Sequence, residues 1–350
     1  MNPLSYLRFA GAVVASNLRR PRFPYKLLFS VTHRCNYRCR TCGIWRLKPA
    51  DELSLDEIRG FFAKNRGLSW AHLTGGEVFL RKDFVDIAET IIRASPRLLL
   101  LNFPTNGYLT ERIVEGVRRI AALGPERLFI TVSTDGDESV NDDIRGVKGG
   151  WRRQIETFRQ LRSIPGVQAA LGMTLSRFNM REFPAAFAAA QAALPGLRYE
   201  DFHVNIVHVS AFYGNQDEGL SDLDREAMRE EVESYRRLRG FHPNPAAFLE
   251  WAYLRRVGEY VRTGKTPLPC HALHDSCYLD PTGNVYPCSM WDRPLGNIRE
   301  QGYDLGRIWN APETLAVRRE IREGRCPHCW TPCEAYQSIL GNLPRLFAGG

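Results

Sequence analysis

From about Tyr25 to Ser210 the chain alternates short, nearly continuous apolar runs with longer stretches whose apolar residues recur every three or four positions. The runs occupy 26–31, 70–74, 98–103, 128–133, 168–175 and 202–209, each five to eight residues long. Runs of that length suit strands covered on both faces, and the periodic stretches between them suit the helices that cover them. Six such units predict an α/β fold. Parallel strands joined by right-handed crossovers curl into a partial (β/α)6 TIM-like barrel, with the loops at the carboxyl ends of the strands as the working surface.

The pattern changes after this core. Residues 211–269 read as a helical connector: Ser221-Asp222-Leu223-Asp224 has the character of a helix start, and 224–239 alternates acidic and basic residues as a solvated helix does. Residues 241–245 break that helix, 246–262 resume it, and 264–269 form a linker. From 270 to 350 the chain becomes cysteine-rich and predicts a small domain of its own. Within it, 277–288 reads as a hairpin around Pro281-Thr282-Gly283-Asn284, setting Cys277 across from Cys288.

Residues 1–25 precede the first strand, and 3–18 predict a helix with Leu4, Leu7, Gly11, Val14 and Leu18 on one stripe, followed by Arg19, Arg20 and Arg22. The charge follows the apolar part, the reverse of a secretory signal, and the run is too short to span a bilayer. The stripe is expected to pack against the outside of the main domain. Peripheral contact of residues 3–22 with a membrane surface is the alternative.

Composition narrows the class. Hydrophobic residues at 44% and charged residues at 25% describe a globular chain and exclude disorder. The net charge of +8 comes from arginines scattered along helix-like segments, and no nucleic-acid module is present, so nucleic acid is not an expected partner. Nine cysteines in two clusters, in a chain that reads as lacking a secretion signal, suit metal more than disulfides and place the protein in a reducing cytoplasm.

The chemistry starts at Cys35, Cys39 and Cys42, spaced C-x3-C-x2-C just after the first run. Three thiolates can hold three corners of a four-iron cluster and leave the fourth iron open; they also suit zinc, with His33 or a distant residue as fourth ligand. Each further motif sits at a strand end: Thr74-Gly75-Gly76-Glu77, Thr105-Asn106-Gly107 and Ser133-Thr134-Asp135-Gly136. Gly75 and Gly76 let backbone approach a ligand closely, and Glu77 offers a carboxylate to an ammonium. Ser133 and Asp135 suit ribose or amino-acid groups, or a turn or helix cap. Arg145 can pair with a ligand carboxylate or with Asp142 or Asp143. In the second cluster, Cys270, Cys277, Cys288, Cys326, Cys329 and Cys333 suit a zinc ribbon or an iron–sulfur cluster.

Taken in order and spacing, these motifs resemble radical S-adenosylmethionine (radical SAM) enzymes that carry a C-terminal SPASM domain. The resemblance covers 26–210 and 270–335 and includes Cys270-x12-Gly283-x4-Cys288, Gly296-Asn297-Ile298, Ile308-Trp309 and the Cys326-x2-Cys329-x3-Cys333 end. It implies that Cys35, Cys39 and Cys42 ligate a catalytic [4Fe-4S] cluster. Gly75, Gly76 and Glu77 would hold the amino group of S-adenosylmethionine and Ser133 would face its ribose or carboxylate; Asp135 and Arg145 are grouped with these contacts. Val78 stands where the family commonly has proline.

The full two-cluster SPASM pattern wants more than six cysteines, so one auxiliary [4Fe-4S] cluster held by four of the six is expected, with two clusters as the alternative. The implied activity is reductive cleavage of S-adenosylmethionine to a 5′-deoxyadenosyl radical that abstracts hydrogen from a peptide, small-molecule or lipid substrate. An external electron donor would reduce the first cluster, and the auxiliary cluster would assist electron transfer. Many peptide-modifying members carry a peptide-binding module ahead of the first strand, and some 24 residues leave no room for one. The rival of a different class is a non-catalytic zinc or iron–sulfur protein, separable by metal content and cofactor binding.

Overall fold

The computed structural model describes residues 3–347 apart from 49, 217 and 221. Helix α1 (Pro3–Leu18) leads into six strand–helix units. They comprise β1 (Lys26–Thr32), α2 (Leu55–Lys64), β2 (Trp70–Gly75), α3 (Phe84–Ala94), β3 (Leu100–Thr105), α4 (Thr110–Ala122) and β4 (Arg127–Ser133). After these come α5 (Glu138–Arg145), α6 (Gly150–Arg162), β5 (Val167–Leu175), α7 (Phe183–Ala193) and β6 (Phe202–Ile206). Helices α8 (Arg225–Arg239) and α9 (Pro245–Thr263) form the connector. The cysteine-rich end contains β7 (Ser276–Leu279), β8 (Asn284–Tyr286), β9 (Gly296–Asn297), α10 (Leu305–Trp309), α11 (Pro312–Arg322), α12 (Pro332–Leu340) and α13 (Leu343–Phe347).

All six runs became strands, with shifted ends. The third starts at Leu100 because Leu98 turns back, its N–H donating to Ser95 O at 2.9 Å. The connector helices follow their caps: Asp224 accepts the Ala227 N–H and Asn244 the Ala247 N–H, both at 2.9 Å. Ser221, read as part of the first helix start, lies outside the described residues.

The strands β1 to β6 pair in parallel, in sequence order. The sheet does not stop at β1. Strand β7 adds to the open edge, parallel, with Leu27 beside Cys277 and Phe29 beside Leu279, and β8 and β9 continue antiparallel. The cysteine-rich end thus extends the barrel sheet instead of standing apart from it.

The hairpin forms with a different register from the one expected. Tyr278 faces Tyr286 and Leu279 faces Val285; continuing that pairing sets Cys277 against Pro287, one residue short of Cys288. Neighbouring strand positions point to opposite faces. Cys277 therefore shares the face of Leu27, in the core.

Within the strands, burial alternates. Leu128, Ile130 and Val132 of β4 are fully buried beneath the helices, whereas Phe129, Thr131 and Ser133 on the inner face are half-buried. The same alternation places Asn102, Thr174, His203 and Asn205 on the inner face. Solvent reaches a polar barrel interior, and the apolar core lies between sheet and helices.

Helix α1 reverses an expectation. It packs through Val13 and Ser16, with the Phe9 ring edge-on to Tyr25 at 5.6 Å. Asn17 Nδ2 donates to Leu340 O at 2.9 Å, and the Ser16 carbonyl lies 2.9 Å from His274 Nε2. The stripe of Leu4, Leu7, Gly11, Val14 and Leu18 faces outward. Anchoring polar groups, not the apolar stripe, chose the packed face. No described helix is long and apolar enough to cross a membrane.

Candidate active site

The loop carrying Cys35, Cys39 and Cys42 leaves the carboxyl end of β1 and is clamped by backbone from three neighbours. The first is the turn after β2. Gly76 N–H donates to Thr32 O at 2.8 Å and Glu77 N–H to Arg34 O at 2.7 Å. A Cβ on Gly76 would lie 2.1 Å from Arg34 O, and one on Gly75, whose φ is +136°, 2.2 Å from Thr32 O. The absence of side chains here serves the close approach of two backbones; sequence reading had assigned it to ligand approach alone.

This makes a prediction. Gly76→Ala would overpack the turn, at a cost of about 1–3 kcal/mol, and displace Arg34, which leads directly into Cys35. Iron in the first cluster should fall severalfold. Gly11→Ala, where an added Cβ meets nothing within 4 Å, should leave iron unchanged in the same assay.

Glu77 also departs from its expected role. Its carboxylate is fully buried and accepts from Asn106 N–H at 2.6 Å, Thr105 Oγ1 at 2.9 Å and Phe79 N–H at 3.2 Å. Burial raises its pKa, and these hydrogen bonds pull it back. The carboxylate joins the ends of β2 and β3 and is not open to an ammonium group. Asn106, to whose strand-end motif the sequence assigns no role, donates to Asn36 Oδ1 at 2.7 Å and reaches Cys35 Sγ at 4.0 Å. Its only signal was its place at a strand end.

The second clamp is the end of α5. Arg38 N–H donates to Arg145 O at 3.2 Å and Arg40 N–H to Ile144 O at 2.8 Å. The Arg145 guanidinium pairs with Asp135 Oδ2 at 2.6 Å, both groups buried, and Asp135 Oδ1 accepts from Thr174 N–H at 3.0 Å. Asp135 and Arg145 thus satisfy each other. Neither Asp142 nor Asp143 is the partner: Asp142 accepts from Trp151 N–H at 2.9 Å, and Asp143 pairs with Arg40.

Burial drives all three thiols upward, Cys39 to about 12 and Cys42 to about 11, and in each case the Arg145 charge pulls the other way. Arg145 is the cation that favours their thiolates. Ser133 sits at the inner mouth of β4, beside Gly172 of β5.

The third clamp comes from the start of the presumed connector. Tyr213 O accepts from Gly43 N–H at 2.7 Å and lies 3.6 Å from Cys42 Sγ; Asn215 Nδ2 donates to Thr41 O at 2.9 Å. Residues 210–215 are therefore a wall of the site, for which the sequence held no signal beyond a Gly-Asn turn.

At the cysteine-rich end burial raises the thiols of Cys270, Cys277, Cys288, Cys329 and Cys333. Beyond burial, the Glu334 charge raises all five; Cys326 adds to it at Cys270, Cys270 at Cys288, and both Cys288 and Cys270 at Cys329. Cys277 is influenced by burial and Glu334; Cys333 answers chiefly to burial and to Lys26. Lys26, fully buried on β1, donates to Gln337 Oε1 at 2.7 Å and to Cys333 O, and lies over the Trp70 ring at 4.2 Å.

A polar belt ties this end to the barrel. Trp70 Nε1 donates to Asn102 Oδ1 at 2.7 Å, Asn102 Nδ2 lies 3.2 Å from His72 Nδ1, and His203 Nδ1 lies 2.9 Å from Glu250 Oε2. Tyr336 also donates to Glu250. Two histidines here are held neutral. Burial, then Lys26 and His203, lowers His72 to about 3, and burial lowers His208 to about 4. His208 accepts Trp330 N–H at Nε2 at 3.1 Å, so its proton sits on Nδ1, 2.9 Å from Ile206 O.

The sign follows. Unfolded, both histidines take up protons near pH 6.5, whereas folded they resist down to about pH 4 or 3. Their contribution to stability is complete above pH 6.5 and is lost as pH falls, through about 4 for His208 and about 3 for His72. The apparent unfolding midpoint should drop across that window, and less steeply in His208→Asn than in the wild type.

The metal choice can be weighed on geometry. Among the described residues the only three His, Cys, Asp or Glu ligand atoms within 4.8 Å of one another belong to His271, His274 and Asp275; no trio of thiols meets that distance. Four sulfurs around one zinc at 2.3 Å would lie about 3.8 Å apart. No three of the described thiols approach one another as closely as a single zinc would require.

Residues 29–187 match the family model described as "Radical SAM superfamily", and 270–343 match SPASM, the "Iron-sulfur cluster-binding domain". The PqqA peptide cyclase of Rhizobium meliloti is 33% identical over 353 residues, covering 94% of this chain and 84% of that protein. The chain belongs to the radical SAM superfamily. The sporulation killing factor maturation protein SkfB of Bacillus subtilis is 26% identical, covering 87% of this chain and 69% of its own. Pre-heme d1 synthase of Dinoroseobacter shibae is 25% identical, over 92% and 82%. In fold, the radical SAM chain resembles Streptococcus suis SuiB bound to S-adenosylmethionine, with a TM-score of 0.61, 16% identity, and coverage of 91% of this chain and 73% of that one. As a radical SAM enzyme with a SPASM domain it uses a [4Fe-4S] cluster with S-adenosylmethionine and auxiliary iron–sulfur. The non-catalytic zinc reading is set aside.

Proposed function

We propose that this radical SAM enzyme abstracts a hydrogen atom from a peptide bound against the polar inner face of the barrel, and that Cys35, Cys39 and Cys42 hold its catalytic cluster. The observation that carries this is the backbone clamping of the three thiols beneath the Arg145 charge, at the mouth of that interior. Reduced by an external donor, the cluster with S-adenosylmethionine supplies a 5′-deoxyadenosyl radical and methionine; this chemistry belongs to the cofactor, while the protein binds and positions.

The chain's own residues divide that work. Because Glu77 is engaged with Thr105, Asn106 and Phe79, the cofactor's amino group falls to the backbone of Gly75 and Gly76. Ser133 meets its ribose or carboxylate. Asp135 keeps Arg145 fixed, so that the guanidinium offsets the thiolate charge. Cys270, Cys288, Cys326 and Cys329, linked in series by the charge of one thiol on the next, hold the auxiliary cluster, leaving Cys277, on the face of Leu27, and Cys333 as structural thiols.

Two observations support the peptide. The inner face offers hydroxyls at Thr131 and Thr174, an amide at Asn205 and an imidazole at His203, which suit amide groups and not an acyl chain. PqqA peptide cyclase and SkfB, among the relatives, carry peptide or maturation roles in their names. Similarity to pre-heme d1 synthase favours a polar small molecule as the second reading.

The test is anaerobic reconstitution followed by dithionite and S-adenosylmethionine. Iron without zinc, together with 5′-deoxyadenosine formation, is the expected result. Zinc in both sites with no cofactor binding would remove the proposal.

A further inference from the structure

The outward face of α1 is the largest apolar feature left over by the fold. Leu7, Val14 and Leu18 are 67%, 56% and 82% exposed, and with Leu4 at 58% they make up four of the seven exposed large hydrophobic residues among those described. They recur at helical spacing. Gly11 completes the stripe, with open space where its side chain would be. The opposite face of the helix is fixed to the domain by Phe9, Val13, Ser16 and Asn17. The stripe therefore faces outward on a helix held in place.

Beneath and beside this helix the surface is cationic. A cavity of about 1010 Å³ is lined by Arg8, Arg19, Arg20, Arg22 and Arg97, with no carboxylate in its wall. A neighbouring hollow of about 440 Å³ adds Arg319 and Arg322, again with no carboxylate; Arg318 in its wall is buried and donates to Leu273 O and Trp309 O. None of the seven exposed arginines in these walls forms an ion pair among the described residues, whereas arginines elsewhere pair readily, as Arg93 does with Glu89 and Arg159 with Glu156. The crowding is felt: burial, then nearby Arg20 and Arg322, lowers Arg318 to about 10.

We propose that α1 and these arginines dock the enzyme on an anionic phospholipid membrane, with the stripe in the interface and the guanidinium groups on lipid phosphates. A helix with an apolar face and flanking cations binds such a surface by both contributions at once. A second copy of the chain fits less well. A twofold α1-to-α1 contact would bring unpaired arginines against unpaired arginines.

The geometry also sets the orientation. The cavity is lined by Tyr25 and Ser69, which immediately precede β1 and β2, so α1 lies at the amino end of the barrel. The loop of Cys35, Cys39 and Cys42 is at the other end. Docking leaves the mouth of the barrel turned away from the bilayer and open to a substrate in the aqueous phase.

The experiment is flotation of the reconstituted full chain with vesicles of equal phosphatidylcholine and phosphatidylglycerol, against vesicles of phosphatidylcholine alone. The wild type should partition to the anionic vesicles at least about tenfold better. Leu7→Ser with Leu18→Ser should lose most of that binding, and Arg19→Glu with Arg20→Glu should lose the preference for anionic lipid. Both variants should form 5′-deoxyadenosine as the wild type does, which shows them folded. Equal partition to both vesicles, or binding unmoved by either pair of substitutions, would overturn the proposal. So would a dimer that Leu7→Ser with Leu18→Ser converts to monomer, since a second copy would then be the occupant of the face.

Discussion

Replacing Cys35, Cys39 and Cys42 together by alanine is expected to abolish 5′-deoxyadenosine formation while about four irons per chain remain in the auxiliary site. The loop should keep its path. Its clamps run through backbone atoms of Arg34, Arg38, Arg40 and Gly43, held by Glu77, Arg145, Ile144 and Tyr213, and none of them needs a thiol. Loss of activity with unchanged circular dichroism and halved iron would then report ligand loss and not unfolding. Retained cleavage of S-adenosylmethionine by the triple variant would refute the assignment of the catalytic site.

The six remaining cysteines should divide four to two. Cys277→Ala with Cys333→Ala should keep about eight irons per chain, at a modest stability cost for Cys277, which is 1% exposed in the core. Alanine at Cys270, Cys288, Cys326 and Cys329 together should remove about four irons and spare the EPR response of the first cluster to S-adenosylmethionine. The physical basis is the placement of Cys277 on the face of Leu27, with the charge of Cys326 reaching Cys270, that of Cys270 reaching Cys288, and those of Cys270 and Cys288 reaching Cys329. Loss of the auxiliary signal from the double variant would reassign the ligands.

Much of the site was legible because its chemistry is local in sequence. Three thiols within eight residues, and a motif at the end of each strand, survive as patterns whatever the loops do. Glu77 and Asp135 at strand ends and Arg145 at the end of α5 turn their charged groups to neighbouring loops and to each other. A carboxylate or guanidinium at a strand end looks the same in sequence whether it meets a ligand or a neighbouring loop, and only the 2.6 Å distance from Arg145 to Asp135 separates the two. Asn106, Tyr213 and Asn215 act through a single amide or a backbone carbonyl, which leave no compositional trace.

By itself the sequence determined the six βα units, the order of the motifs along the barrel mouth and the cysteine groups, since periodicity and spacing are properties of consecutive residues. Tertiary structure alone decided what depends on residues far apart. The open edge of β1 recruited β7 and made one sheet of two regions. Pairing of Tyr278 with Tyr286 shifted the hairpin by one residue and turned Cys277 away from the side expected of it. Polar anchors on Leu340 and His274 chose the buried face of α1 and left its apolar stripe outside. In each case a pattern that was correctly read on one element had two physically acceptable partners, and the choice lay with the neighbouring element.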